Sequence, residues 1–367
     1  MGEDPFVLQG DRRLRRVTSA AVVVALCTAL AACSSSGSTT ATSSTPRTAS
    51  TSSPSLAGVT LVQVPAGATS SAIGAPDGPN LIAVDPSARP NGELFVFLPG
   101  TGGLPRCCQQ LLEVAATTGF AAIGLAYPNS VSADRRCGND LSCYEAVRRN
   151  EFDGSTPGPA SAVPPQNAIE SRLASLLSYL ARAQPDGHWS RFLDGARVDW
   201  SRVIIAGHSQ GGGEAAYIGK AEATEGVVLL SSVVDSTNTE PPVPAPYLAS
   251  PGRTPRDRYV GFDHTADPFF TKITAGWKAL GLNRFGPLTS VDGRSAPYGH
   301  THQLTTSVGV PHVIVLPEHD STAVDVETPV CPDGAPRFVP AWRYLLQVAG
   351  GLRVTASPAP CAPTPSP

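Results

Sequence analysis

The sequence predicts an α/β protein: a mostly parallel sheet flanked by helices, with loop insertions. Short apolar runs alternate with amphipathic stretches, which is how a helix-covered parallel sheet reads in sequence. A four-residue apolar run at 203–206 enters a glycine-bearing turn and then a helix-like segment. The 367 residues, 41% of them apolar, supply enough material for a sizeable core.

Composition excludes several classes. Gly 35 and Pro 36 give 71 residues, about a fifth of the chain and below the ~25–30% at which low complexity becomes the default. Lys+Arg 27 against Asp+Glu 30 gives a net charge of −3, and no extended basic cluster follows the first twenty residues, so nucleic acid is a poor partner.

The N-terminal part reads as an export segment. Arg12, Arg13, Arg15 and Arg16 precede an uncharged, mostly apolar stretch at 17–32, which ends Leu30, Ala31, Ala32 and is followed by Cys33. That stretch is shorter than the ~20 residues a spanning helix needs, and its end resembles the lipobox of bacterial lipoproteins. Residues 1–32 are therefore expected as a signal peptide and Cys33 as the lipidated residue; an ordinary export segment with an incidental Cys33 is the alternative. Of the 22 residues at 34–55, 16 are Ser or Thr. Such a stretch cannot offset the entropy of ordering it, so 33–57 reads as a disordered tether. The folded domain is expected over 58–355, with a Pro-rich tail at 356–367.

With Cys27 in the export segment and Cys33 assigned to lipidation, Cys107, Cys108, Cys137, Cys143, Cys331 and Cys361 remain. An even number in an exported chain allows up to three disulfides, with Cys137 and Cys143 the favoured local pair.

Strands are expected at 93–98, running into Pro99, Gly100, Thr101, Gly102 and Gly103, and at 120–126. Ile169, Leu173, Leu176, Leu177 and Leu180 fall at helical spacing after Pro164 and Pro165, predicting a helix of about five turns. Further strands are predicted at 203–206, 226–230 and 259–262, a helix along Phe269, Phe270, Ile273, Trp277 and Leu280, a late strand at 312–316, and a closing helix near 342–348. Pro-rich segments at 129–165 and 231–257 interrupt this order and read as long loops, either lids or walls of a binding site or merely solvated excursions.

Gly207, His208, Ser209, Gln210 and Gly211 match G-x-S-x-G, between a buried strand and a helix opening with Gly211, Gly212 and Gly213. A sharp turn there lifts a serine hydroxyl clear of the sheet, and flanking glycines avoid collisions with neighbouring elements. Strand, turn and helix in the right order give the five-residue pattern its specificity; a helix N-cap is the bland alternative for Ser209.

On the elbow at Ser209, the glycine-rich turn at 98–103 and the chain order Ser, Asp, His, the sequence resembles the α/β-hydrolases, specifically secreted bacterial serine esterases or lipase-like members. The resemblance spans about 81–348. It implies a carboxylic ester hydrolase working through an acyl-serine intermediate without a cofactor, on a small-molecule or lipid ester. A serine hydroxyl needs an imidazole to take its proton and an acid to orient that imidazole. The resemblance places the acid after a late strand, favouring Asp267, with Asp263 and Asp235 in reserve. The base is expected at His319, directly after the run at 312–316, with His300 and His302 as rivals. His-x-His as a metal site lacks a third ligand at a defined spacing. Oxyanion donors are expected at the N–H of Gln210 and at Thr101 or Gly102. The same triad would also serve an acyltransferase or peptidase, and a hydrolase scaffold can persist as a non-catalytic, surface-anchored binding protein.

Overall fold

The computed structural model describes residues 58–74 and 78–361. The export segment, Cys33, the tether at 33–57 and residues 362–367 lie outside the described residues.

Nine strands form one sheet. They are β1 (Thr60–Pro65), β2 (Pro79–Val84), β3 (Leu94–Leu98), β4 (Ala121–Gly124), β7 (Val203–His208), β8 (Gly226–Leu230), β9 (Tyr259–His264), β10 (Thr289–Ser290) and β11 (Gln303–Thr306). A small separate ribbon pairs β5 (Leu193–Asp194) with β6 (Arg197–Val198). The sheet order is β1-β2-β4-β3-β7-β8-β9-β11-β10. Strand β2 pairs antiparallel with β1 and β4, and every other pairing is parallel. This is the mostly parallel, helix-flanked sheet that the alternation of the sequence predicted.

The helices are α1 (Ala66–Thr69), α2 (Gln109–Thr117), α3 (Ala133–Cys137), α4 (Leu141–Asp153), α5 (Ile169–Ala183), α6 (Gln210–Ala221), α7 (Pro246–Ala249), α8 (Phe270–Leu280), α9 (Pro317–Asp320) and α10 (Val339–Ala349). Alternation along buried strands divides the core between the two faces. Leu94, Val96 and Leu98 of β3 pack with Val147, Leu173, Leu177 and Trp277, from α4, α5 and α8. Phe95 and Phe97 point the other way, to Leu111, Leu112, Trp342 and Leu345 of α2 and α10. Strands buried on both faces cannot show polar alternation, which is why these runs are continuously apolar.

Three expectations are corrected. The apolar run at 312–316 is an exposed loop and not a strand: Val313 is 64% and Val315 89% exposed. Its Val313 and Ile314 N–H groups donate to the buried Glu327 carboxylate and not to a strand. The place beside β9 is taken by β11, whose polar Gln303, Thr305 and Thr306 gave no apolar signal. The segment at 129–165 contributes α3 and α4, because Ser132 and Asp140 accept backbone N–H groups as N-caps amid a Pro-rich composition. The expected tail begins fastened to the domain, through a hydrogen bond from Ala296 N–H to the Ser357 carbonyl and a Cys331–Cys361 disulfide. Cys137 pairs with Cys143, and Cys107 with Cys108.

Because β3, β7, β8, β9 and β11 run parallel, the loops after their C-terminal ends meet at one edge of the sheet, where ligand sites of open α/β sheets form.

Candidate active site

Ser209 follows β7 at that edge, with φ 53° and ψ −118°. A non-glycine residue in this region is strained and persists only where its surroundings over-determine it. Its N–H donates to the Leu230 carbonyl (3.1 Å), and its own carbonyl accepts from Gly212 and Gly213. A Cβ on Gly207 would strike the Gly211 backbone, and one on Gly211 would strike the Leu98 carbonyl, so the turn closes only with glycine at both.

Asp267 lies three residues beyond β9, and His319 lies on the short α9 after the 308–316 loop. They meet through His319 Nδ1 and Asp267 Oδ2 at 2.7 Å. Burial works to raise the Asp267 carboxyl, but the hydrogen bond and charge of His319, a hydrogen bond from Asp263 and the Phe269 N–H hold it below the usual carboxylate range. Burial first, then the charge of Asp267 and a hydrogen bond to it, push the Asp263 carboxyl well above its usual range. Of these two buried neighbours, Asp263 therefore carries the proton and Asp267 the charge. An ionised Asp267 accepts from His319 Nδ1–H, which leaves the Nε2 lone pair of the neutral ring free to take a proton.

Two contacts bring His319 to the elbow. The His208 ring sits 5.0 Å from the His319 ring. Phe269, which lines a small cavity together with Ser209, packs edge-on to His319 at 5.1 Å. Burial holds the His208 imidazole down at about 3, so it is neutral, and its Nε2–H donates to the His319 carbonyl at 3.0 Å. Ser209 itself is half-buried, leaving a path for a reactant.

The rival histidines lie elsewhere. His302 is buried, stacked on Phe285 with centroids 4.5 Å apart, and its Nδ1–H donates to the Tyr259 carbonyl (2.9 Å). Tyr259 begins β9, at the opposite edge from Ser209. His300 is exposed and unconnected to the Asp267 cluster. Asp235 is held by the Arg148 guanidinium (3.0 and 2.6 Å) and the Tyr247 hydroxyl (2.7 Å).

The glycine-rich turn at 99–103 is organised by Asn129, whose amide donates to the Gly100 and Gly103 carbonyls at 2.8 and 2.9 Å. The Gly102 N–H donates to the Asn129 carbonyl at 3.0 Å, so of the two expected donors in this turn Gly102 is already occupied and Thr101 remains. Gln210 opens α6, where the first N–H groups have no intrahelical partner. Its side chain accepts from Ala133 N–H and donates to Glu151, each at 2.9 Å, and its carbonyl accepts from Arg148 at 3.0 Å. Arg148 also pairs with Glu214 at 2.6 Å. Burial works against the Arg148 charge, but Asp235 and Glu214 outweigh it and keep the guanidinium protonated. Sequence reasoning missed Arg148 and Glu151, whose only signal was charge within a segment whose composition read as loop, and it gave no site role to Asn129 or to Phe269, which it read as part of a helical face.

Among the described residues no group of three or more His, Cys, Asp or Glu side chains is arranged to hold a metal ion. No protein-family model matches the chain, and no curated protein matches it. Among solved structures it is similar to a double mutant of the esterase E40, at 17% identity over 81% of this chain and 87% of that one, with a TM-score of 0.39.

Proposed function

We propose that the protein is a serine hydrolase of carboxylic esters, with Ser209 as nucleophile, His319 as base and then acid, and Asp267 as the orienting carboxylate. The observation that carries this reading is the His319–Asp267 hydrogen bond, at the sheet edge where Ser209 occupies a strained elbow. Ser209 attacks the ester carbonyl as His319 Nε2 takes the hydroxyl proton; Asp267 stabilises the imidazolium. The N–H groups of Gln210 and Thr101 receive the charge developing on the carbonyl oxygen. His319 returns the proton to the leaving alcohol oxygen, giving an acyl-Ser209. Water, deprotonated by the same imidazole, then releases the acid and regenerates the serine.

The export segment, the Cys33 context and the Ser/Thr-rich stretch support placing this activity at the outer face of a bacterial cell membrane, on a lipid anchor. Mass spectrometry of the membrane-fraction protein tests this: a diacylated N-terminal Cys33 supports it, and an unmodified or absent Cys33 refutes it.

Ser209→Ala is expected to abolish turnover of p-nitrophenyl acetate and labelling by a fluorophosphonate probe, with the circular dichroism spectrum unchanged. Retained turnover in that variant overturns the assignment.

A further inference from the structure

The cavity onto which Ser209 opens is small. Its volume is about 70 Å³, and its walls include Arg148, Gln210, Val234, Asp235 and Phe269. Pockets that take drug-sized ligands run to ~300–1,000 Å³, whereas this one has room for about two water molecules at ~30 Å³ each. Its floor is fixed. Arg148 is tied to Asp235, Glu214 and the Gln210 carbonyl, and a Cβ on Gly213 would strike the Arg148 guanidinium. The wall residue Asp134 pairs with Lys272 at 2.9 Å, and Lys272 also reaches Asn238, linking α3 and α8 to the 231–257 segment.

The chemistry says which part of an ester enters. In the tetrahedral intermediate the leaving oxygen must face His319 Nε2 to be protonated, so the alcohol lies on the imidazole side and the acyl substituent on the other. His319 itself does not line the cavity; Phe269, which packs edge-on to it, is one wall, and the others include Arg148, Gln210, Val234 and Asp235.

Resting on the serine-hydrolase reading, we infer that the substrates are esters of short acids, with acyl groups of two to four carbons. The C–O bond to the alcohol breaks as the bond from the acyl carbon to Ser209 Oγ forms; the Oγ proton passes through His319 to the departing oxygen. A longer chain would overpack the site. Val234 is the specificity-determining wall, because it is the one aliphatic side chain there and takes no part in the ion-pair network.

The test is kcat/KM for p-nitrophenyl acetate, butyrate, hexanoate and octanoate. Acetate and butyrate are expected at least about 10-fold above octanoate, the scale of discrimination a misfitting methylene imposes, and Val234→Ala should move the optimum to longer chains. Labelling of wild-type Ser209 by a methyl against an octyl fluorophosphonate gives a second reading that does not depend on the variant folding; the methyl probe should react faster. Flat or rising kcat/KM towards octanoate, with Ser209 still labelled, overturns the acyl-length inference alone. Failure of every ester together with failure to label overturns the serine-hydrolase reading and this inference with it.

Discussion

The imidazole of His208 donates its Nε2–H to the backbone carbonyl of His319 at 3.0 Å. The residue before the elbow serine is thus tied to the segment that delivers the second histidine from 111 positions later in the chain. Held neutral by burial, His208 makes this bond across the working pH range.

Removing that tie should loosen His319 without unfolding the protein. His208→Ala is expected to lower kcat about 10–100-fold, the scale of a small misplacement of a catalytic group, with KM little changed. Steady-state kinetics on p-nitrophenyl acetate check it; a loss confined to KM contradicts the positioning role.

The two carboxyls behind His319 should respond differently to the same substitution. Asp267→Asn removes the acceptor of His319 Nδ1–H and favours the wrong tautomer, for an expected loss of about 10⁴ in kcat. Asp263→Asn replaces a protonated acid with another neutral donor, so activity should stay within about 10-fold of wild type. Comparable losses in both variants would mean that Asp263 is ionised.

Arg148→Met should destabilise the fold by about 3–5 kcal/mol, because Asp235 and Glu214 are left buried without their countercharge. Urea unfolding measures it. Adding Asp235→Asn should recover part of the loss, since the two sites share one network.

Asp320 gives a pH signature. Burial, with the charges of Glu327 and Asp267, pushes its carboxyl up to about 6 against the opposing effect of His319. A carboxyl raised in the folded state contributes stability that is fully present below its unfolded value near 3.8 and is lost as pH rises through about 6. Asp320→Asn should therefore raise the Tm at pH 7.5, by an amount equivalent to about 1–3 kcal/mol, and leave it nearly unchanged at pH 3.5. Equal shifts at both pH values would show that the group does not titrate in this window.

Much of the architecture was legible because it is local. Continuously apolar runs identified β3, β7, β8 and β9, and glycine punctuation around Ser209 identified a turn that only glycine can close. Legibility failed where polarity and burial part company. Strand β11 is written with Gln and Thr, whereas the aliphatic run at 312–316 faces solvent on a loop held by Glu327. His319 was favoured because it follows an expected strand, yet it reaches Asp267 from a loop and a short helix.

By itself the chain's order of residues determined a helix-covered parallel sheet and a strained serine turn, since both follow from patterns within a dozen positions. Only the tertiary structure decided which histidine meets which carboxylate, that Gly102 spends its N–H on Asn129, and that Arg148 braces the elbow from behind. Those partners are far apart along the chain, and hydrogen bonds and charge pairs depend on distances that residue order alone does not encode.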